Sequence, residues 1–528
     1  MGKISLLDCT LRDGGYVNDW RFGRDAIHGI GKKLAKSGVE LFEIGFIKGD
    51  TYDPDRAVFP DVASIADAIA PKQPELSYVG MVDMSAPVPV SRLIPKREDS
   101  LDGIRVIFKK DRQKEGYAMC EAVLQAGYET YVQFVGTDQY SEEEWREALQ
   151  VFAALEPHVI SIVDSFGLMK RRQFLRFVEI ADEVLPAKIA LGYHAHNNLQ
   201  QAFGNAETLV ELELQRDIVI DGSVFGMGRG AGNLNMELFA DYLNEYHGKH
   251  YQVEPMLEIM DAYLQDIYKE RFWGYSLPLY LSAKNGCHPN YAIYFAVKES
   301  LTEKSMSELL RGIDPQDKVY FSKEKAEAYY RQYQENYLED GEVLEQLRKE
   351  WEGRKLLLVA PGRSLQVYGE EIEHRIREEG LTVINVNFTG DRFMPDYIFS
   401  SNMRRFSKIE GHTNAKCIIT SNMKEAKAYD FMVNFASYSS DAPEIIDNSG
   451  VMALKLLAAV GVREVCIAGM DGYSGDYAAD YCNDKVSYDF SKEADRRNVL
   501  IRKELGEVGQ RMRLEFITPS LYDTRKSS

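Results

Sequence analysis

Paired cysteines are missing from this chain, because its six cysteines are scattered and no two have the C-x-x-C spacing. The pattern argues against a disulfide framework and fits reduced thiols with structural roles in a cytosolic protein. Long apolar runs are missing as well, since none approaches the roughly 20 residues of a membrane span, and no signal-peptide pattern precedes the first strand pattern. We therefore expect a cytoplasmic protein without a membrane span.

Positive charge is also scarce. The chain has 63 Lys and Arg against 82 Asp and Glu, which gives a formal net charge of −19. This balance argues against a nucleic acid or an anionic membrane surface as the main partner, although it leaves room for a local basic pocket that holds phosphate. An anionic substrate would need a metal ion or arginine side chains to hold it.

The composition that remains is that of a folded protein of at least two domains, with 528 residues, 45% apolar and 27% charged. We find no internal repeat and no low-complexity tract. Residues 1–245 contain eight short apolar runs typical of buried strands, with helical patterns between them. The alternation predicts an α/β fold in which a parallel sheet closes into a (β/α)₈ TIM barrel. The runs are 4–7, 41–46, 77–81, 104–108, 130–135, 159–163, 189–193 and 218–220.

The rest of the chain is predicted to form a helical extension and a second α/β domain. Residues 246–353 have a mostly helical pattern, and their last part is rich in charged residues, as is typical of an exposed connector. A new strand pattern begins at 355–360, and later apolar runs alternate with helical segments. We expect a Rossmann-like, doubly wound open sheet over residues 354–528.

Two segments far apart in the chain predict one divided metal site. Arg12 and Asp13 follow the first apolar run, and His194 and His196 lie at the end of the seventh. Side chains at positions i and i+2 of an extended segment point to the same face, so both imidazoles can reach one ion, and a carboxylate would complete the ligand set. Each pattern alone is more often a turn or a structural histidine pair, but together they favour metal binding.

Three motifs follow one another along the chain: Thr10-Leu11-Arg12-Asp13-Gly14, His194-Ala195-His196-Asn197 and the glycine-rich segment 226–233. Their sequences and their order resemble those of the DRE-TIM metallolyases, a family that includes 4-hydroxy-2-oxovalerate aldolase, hydroxymethylglutaryl-CoA lyase and isopropylmalate synthase. The resemblance spans about residues 1–245, and the segments around His194 and Asn233 look most similar to the aldolase.

The resemblance implies a metal centre that faces the substrate. Its ligands would be Asp13, His194 and His196, with Asn233 as a further ligand or a neighbour of the ligands, and Arg12 would face the developing oxyanion. Oxygen and imidazole ligands without thiolate suit Mn²⁺ or Mg²⁺, and also Co²⁺ or Zn²⁺. A 2-oxo acid such as pyruvate could chelate the ion, which would act as a Lewis acid while a C–C bond breaks and an enolate forms.

The chain departs from the aldolases at the general base. Those enzymes have a histidine soon after the Arg-Asp-Gly motif, whereas here Gly14, Gly15 and Tyr16 follow. Tyr16, Asp19 and His288 are the candidates for the base, with a core or turn role as the alternative for His288. Three carboxylates at other predicted strand ends would orient a ligating imidazole or form structural caps and ion pairs: Glu43, Asp164 and Asp221.

The second predicted domain has glycine-rich turns after two of its strand patterns, at 361–364 and 469–473. Together with the helix pattern that opens at 448–451, they resemble the bacterial sialyltransferase family and related nucleotide-binding domains, over roughly residues 354–480. The resemblance implies a nucleotide or nucleotide-sugar pocket, although a Rossmann-like scaffold without a ligand needs similar turns. The pocket residues would be Gly362, Ser364, Asn387, Ser449 and Gly450, with Asp471 nearby.

The leading hypothesis is a metal-dependent aldolase or lyase for a 2-oxo acid or sugar acid, fused to a nucleotide-binding or glycosyltransferase-like domain. Such a fusion suggests surface-sugar metabolism, and we expect a homo-oligomer. One alternative is a Claisen-type synthase, in which the same enolate would attack an acyl-CoA. Another is a glycosyltransferase or nucleotide-sugar-binding protein with a noncatalytic barrel.

Overall fold

The computed structural model describes residues 2–49, 51–390, 392–476, 479–482 and 488–523. The chain divides into two compact units, Met1–Pro289 and Asn290–Ser528. The three-part division predicted from the sequence, with limits at 245 and 353, stays a prediction. None of the helices in the described ranges is long and apolar enough to cross a membrane.

The strands of the first unit form a closed parallel barrel. They are β1 Ile4–Asp8, β2 Leu41–Ile47, β3 Val58–Phe59, β4 Ser77–Asp83, β5 Gly103–Phe108, β6 Glu129–Val135, β7 Val159–Asp164, β8 Ala190–Ala195 and β9 Ile218–Gly222. The ring runs β1-β2-β4-β5-β6-β7-β8-β9 and closes because β9 pairs with β1, while β3 is a short addition beside β2. The predicted TIM barrel is confirmed, and each of its eight strands overlaps one of the eight apolar runs.

Helices follow the barrel strands and cover their outer faces. They are α1 Gly15–Asn18, α2 Arg24–Ser37, α3 Val62–Ile69, α4 Gln113–Gln125, α5 Glu142–Ala153, α6 Arg171–Val184, α7 Ala202–Glu211, α8 Met236–His247, α9 Glu254–Ile259, α10 Gln265–Glu270 and α11 Leu277–Lys284. Local sequence explains their limits, as in α5, where Ser141 and Glu144 form a capping box. Helix α2 buries Ile27, Ile30 and Leu34, one face of its 3.6-residue repeat.

The interior of the barrel is divided into an apolar and a polar part. A small apolar cluster that includes Leu7, Leu41, Val79, Tyr131 and Val159 fills one part of the interior. The strand positions nearer the carboxyl ends instead carry buried charged and polar side chains. Active sites of such barrels lie at the carboxyl ends of the strands, so this polar part is the candidate active site.

The second unit contains an open parallel sheet of seven strands. They are β10 Leu356–Val359, β11 Thr382–Val386, β12 Tyr397–Ser400, β13 Lys416–Thr420, β14 Phe431–Val433, β15 Glu464–Ala468 and β16 Arg513–Phe516. The order is β14-β13-β12-β11-β10-β15-β16, so the direction of winding reverses between β10 and β15. The predicted second α/β domain with a parallel sheet is confirmed.

Helices precede and flank this sheet. They are α12 Pro289–Val297, α13 Glu303–Gly312, α14 Pro315–Lys318, α15 Lys323–Gln334, α16 Gly341–Trp351, α17 Ser364–Val367, α18 Gly369–Glu379, α19 Met403–Phe406, α20 Phe435–Tyr438, α21 Ser449–Val460 and α22 Ala494–Gly509. Helix α21 packs in the core, with residues from Val451 to Leu457 buried around most of its circumference.

Candidate metal centre and ligand cleft

Three side chains that the sequence analysis predicted as metal ligands converge at the carboxyl end of the barrel. Asp13 lies in the turn after β1, His194 lies in β8, and His196 follows β8 by one residue. Their candidate ligand atoms all lie within 4.8 Å of one another, and all three residues are buried. Nε2 of His194 lies 3.5 Å and Nε2 of His196 lies 3.6 Å from Oδ2 of Asp13. One ion could therefore contact all three side chains.

The electrostatics of Asp13 and His196 suit a cation. Burial raises the pKa of Asp13, but interactions with His196, Arg12 and His194 outweigh this effect and hold that pKa well below its usual range. Burial lowers the pKa of His196 to about 4, so its imidazole is neutral and can offer a lone pair at neutral pH. Neither carboxylate oxygen of Asp13 accepts a hydrogen bond from the described residues. Buried oxygens without donors are costly unless a cation lies beside them, so the donor set fits a divalent metal.

Asn233 lies beside this cluster. Its backbone pairs with that of His196 in an isolated antiparallel bridge, and its Nδ2 donates to the carbonyl oxygen of Met227 at 3.1 Å. Its Oδ1 is buried and has no hydrogen-bond donor among the described residues. Gly228 makes this approach possible, because a Cβ there would lie 2.4 Å from Nδ2 of Asn233. The amide oxygen thus has the properties of a further ligand.

A network of buried charges connects the cluster to Arg12. Glu43 accepts from Nε of Arg12 at 2.8 Å and from Arg105 at 2.9 Å. The other terminal nitrogen of Arg105 donates to Asp221, and Oδ2 of Asp221 lies 3.1 Å from Nδ1 of His194. The buried guanidinium group of Arg105 therefore joins Glu43, which contacts Arg12, to Asp221, which lies beside His194. The sequence analysis missed Arg105, although a lone charged residue within the apolar run at 104–108 was a usable signal.

The remaining predicted barrel residues occupy different positions. The carboxylate of Asp164 accepts the backbone N–H groups of Leu168 and Met169 at 2.8 and 2.9 Å, which caps the loop after β7. Tyr16 is exposed at the barrel mouth, where its ring lies 4.9 Å from that of Trp20 and 5.8 Å from the guanidinium carbon of Arg229. Asp19, the third candidate base, is exposed and forms an ion pair with Arg56.

His288 lies in the same unit, with Nε2 2.5 Å from a terminal nitrogen of Arg229. Burial, Arg229 and Lys109 lower the pKa of His288 to about 4, so its ring is neutral at neutral pH. Nε2 accepts in this contact because the guanidinium group of Arg229 can only donate. Although Tyr16 is 43% exposed, the burial of the rest of its side chain and the charge of Asp13 raise its pKa to about 12. Neither group has the pKa near neutrality that suits a general base.

The second unit has a cleft at the carboxyl edge of its sheet, where the winding reverses between β10 and β15. Its open space is about 860 Å³ including solvent at the mouth. Of the six predicted nucleotide-binding residues, five line this cleft: Gly362, Asn387, Ser449, Gly450 and Asp471. Ser364 is not among the lining residues but hydrogen-bonds to Asp471, which is.

The polar groups of the turn at 361–364 form hydrogen bonds mainly with the neighbouring turn at 469–473. The N–H of Gly362 donates to the carbonyl oxygen of Gly469 at 2.8 Å. Asp471 accepts from the N–H of Ser364 at 2.7 Å and from its hydroxyl at 2.5 Å. A Cβ on Gly469 would lie 2.0 Å from the carbonyl oxygen of Ala360, and the φ of +70° also requires glycine there. On the opposite wall, Asn387 donates to the hydroxyl of Ser449 at 2.7 Å.

The comparisons with known proteins concern the barrel. Residues 104–261 match the family model described as HMGL-like. The chain is 25% identical over 243 residues to an oxaloacetate decarboxylase of Mycobacterium tuberculosis, covering 44% of this chain and 67% of that protein. It is 28% identical over 249 residues to a 4-hydroxy-2-oxovalerate aldolase of Roseiflexus castenholzii, covering 46% of this chain and 71% of that protein.

Among solved structures, the N-terminal domain of a candidate aldolase from Bacteroides vulgatus superposes with a TM-score of 0.46 at 22% identity, covering 56% of this chain and 96% of that chain. The relatives named by sequence are aldolases and a decarboxylase, and the barrel is an enzyme domain. Within the N-terminal half of the chain, residues 104–261 are similar to HMGL-like domains.

Proposed function

We propose that the barrel is a divalent-metal-dependent aldolase or lyase that breaks or forms a C–C bond of a 2-oxo acid or sugar acid. The observation that carries this proposal is the convergence of Asp13, His194 and His196, with two carboxylate oxygens that lack hydrogen-bond donors among the described residues. Mn²⁺ or Mg²⁺ suits these ligands, as do Co²⁺ and Zn²⁺. When bound, the ion would supply Lewis-acid polarisation of the substrate carbonyl group.

The protein's own residues then have separate tasks. Glu43 fixes Arg12 through Nε, and a terminal nitrogen of Arg12 lies 3.6 Å from Oδ2 of Asp13, so its guanidinium group lies beside the proposed ligands. There Arg12 stabilises negative charge that grows on the substrate oxygen. Oδ2 of Asp221 lies 3.1 Å from Nδ1 of His194, and its charge would favour the ring orientation in which Nε2 is turned toward Asp13. Asn233 would add an oxygen ligand or orient a bound water.

The pKa values of Tyr16 and His288 determine which proton-transfer roles these two residues can have. Tyr16, with a pKa near 12, keeps its proton at neutral pH and would act as a hydrogen-bond or proton donor at the barrel mouth. His288 would orient Arg229 through Nε2. The base that replaces the aldolase histidine stays unassigned.

Deuterium exchange into the methyl group of pyruvate tests this function. In D₂O, followed by proton NMR, we expect exchange that requires Mn²⁺ or Mg²⁺ and stops when the ion is chelated, because the enolate forms only with the carbonyl group polarised. Exchange that continues at the same rate after chelation would contradict the metal-dependent function. If metal binds but pyruvate does not exchange, the same assay with 2-oxo sugar acids decides the substrate class.

A second proposal concerns the cleft of the second unit, which we infer binds a nucleotide or nucleotide sugar. Its support is that five of the six residues implied by the sialyltransferase resemblance line one cleft at the winding reversal. The Claisen-type synthase and the noncatalytic barrel remain alternatives without a specific observation in their favour. The role in surface-sugar metabolism, the cytoplasmic location and the homo-oligomer stay predictions.

Calorimetry of the full chain with cytidine nucleotides checks the cleft. Ser449→Ala removes a hydroxyl that accepts from Asn387 and lies 2.5 Å from that of Ser401, so we expect binding to weaken about fivefold, the effect of roughly one hydrogen bond. Ser407→Ala, on the exposed surface of the same unit, is the matched control. Equal affinity in both variants and the wild type would show that the hydroxyl of Ser449 does not contribute to nucleotide binding. If no common nucleotide binds, the proposed nucleotide function of the cleft is wrong.

A further inference from the structure

Three cationic side chains line the cleft of the second unit: Lys298, Arg405 and Arg497. They come from three distant segments of a chain whose net charge is −19. Arg405 and Arg497 are only 9% and 6% exposed. Burial of cations costs free energy that nearby anionic groups offset, and three cations in one cleft give it an attraction for an anionic ligand.

The two arginines lie over aromatic rings. The guanidinium carbon of Arg405 lies 3.9 Å from the ring centre of Tyr488, and that of Arg497 lies 3.7 Å from the ring centre of Phe490. Stacking of this kind fixes the plane of each guanidinium group and directs its N–H groups along that plane. Arg497 donates from Nε to Glu493 at 3.2 Å, and its two terminal nitrogens carry four further N–H donors. Such a fork suits the paired oxygens of a phosphate.

Both arginines lie near the start of α21. They line the same cleft as Tyr473 and as Asn448 and Ser449, where this helix begins. The hydroxyl of Tyr473 is 3.5 Å from Nδ2 of Asn448, the residue that caps α21. The first N–H groups and the dipole of this 12-residue helix add a further attraction for an anion.

The acidic residues that line the cleft are hydrogen-bonded by the protein's own donors. Asp447, Asp471 and Asp480 each accept such a bond, at 2.6, 2.7 and 2.9 Å. The donors are the hydroxyl of Tyr330, the N–H of Ser364 and the N–H of Ser474. Hydrogen bonds to Asp471 occupy both the N–H and the hydroxyl of Ser364, one of the predicted pocket residues.

We propose that the phosphate groups of the ligand lie at the end of the cleft formed by Arg405, Arg497, Lys298 and the start of α21, and not at the glycine turn 361–364. This inference rests on the proposed nucleotide function of the cleft and deepens it, because it gives the ligand at least one phosphate and names the residues that hold it. Arg405 and Arg497 are the main contacts, and Lys298 adds positive charge at the same end.

Calorimetry of the full chain in metal-free buffer tests this assignment with three probes: cytidine 5′-diphosphate, inorganic pyrophosphate and uncharged cytidine. We expect both anions to bind more tightly than cytidine and to bind more weakly as salt is added. Arg405→Met and Arg497→Met should each weaken both anions about 10- to 100-fold, the effect of losing charge-assisted hydrogen bonds. Arg404→Met and Arg496→Met replace the exposed neighbours and should leave both affinities unchanged.

The outcomes separate the two proposals. Unchanged anion binding in Arg405→Met and Arg497→Met would overturn the phosphate assignment even if the nucleotide binds, and so would a wild type that does not bind pyrophosphate. Pyrophosphate binding without nucleotide binding would instead uphold the anion site and overturn the nucleotide function. If either methionine variant fails to fold, Arg405→Lys and Arg497→Lys keep the charge but lose the planar fork, and a loss of about fivefold is expected from them.

Discussion

Replacement of His194 by alanine is expected to abolish stoichiometric metal binding and to lower metal-dependent exchange of a 2-oxo acid at least about 10³-fold. The substitution removes one of three proposed ligands and leaves the carboxylates of Asp13 and Asp221 buried without the imidazole between them. Loss of Lewis-acid polarisation costs several kcal/mol of transition-state stabilisation, and each 1.4 kcal/mol is about tenfold in rate.

Metal content by mass spectrometry of the purified variant is the measurement, with exchange kinetics beside it. His158→Ala is the matched control, because His158 is half exposed and precedes β7 at the opposite end of the barrel. The control should keep one ion per chain and full activity. An unchanged metal content in the His194 variant would remove His194 from the ligand set.

Arg105→Met is the second substitution with a large expected effect. It deletes the cation between Glu43 and Asp221 and leaves Asp221 buried with only His194 beside it. Breaking a buried ion pair in this way costs about 3–5 kcal/mol of stability. Because Asp221 orients His194 and Glu43 orients Arg12, we also expect metal affinity to fall about 10- to 100-fold.

The measurements are the unfolding midpoint of the barrel and a Mn²⁺ titration at a temperature where the variant is folded. Arg105→Lys should recover part of both effects, because it keeps the charge but cannot reach both carboxylates at once. Arg172→Met, on the exposed face of α6, is the control for loss of an arginine. A lower unfolding midpoint with wild-type metal affinity would limit Arg105 to a structural role.

The barrel and its candidate ligands could be predicted from the sequence because their signals are local. Each of the eight barrel strands is buried and reads as a short apolar run, and the His194-x-His196 pair shows its common face through spacing alone. The prediction that Asp13 lies beside these histidines depended on the barrel, because the barrel brings the carboxyl ends of β1 and β8 together. The barrel itself was predicted from the alternation of strand and helix patterns.

Other features depend on tertiary structure and left a weak signal or none. Strands β12, β14 and β16 have three or four residues each, too short for an apolar run to stand out from a loop or a buried helix segment. The pairing of Arg105 with Glu43 and Asp221 joins residues 62 and 116 positions apart. Lys298, Arg405 and Arg497 share no motif and meet only in the folded cleft.

The single guanidinium group of Arg105 also has a consequence for how this barrel can change over evolutionary time. Substitutions at separate sites usually add in their effects, but residues in one charge network do not. Glu43 with Arg12 forms one arm of the network and Asp221 with His194 the other, and both arms end on Arg105. Substrate preference and metal affinity should therefore be epistatic, so that new specificity around Arg12 would evolve together with compensating changes beside His194.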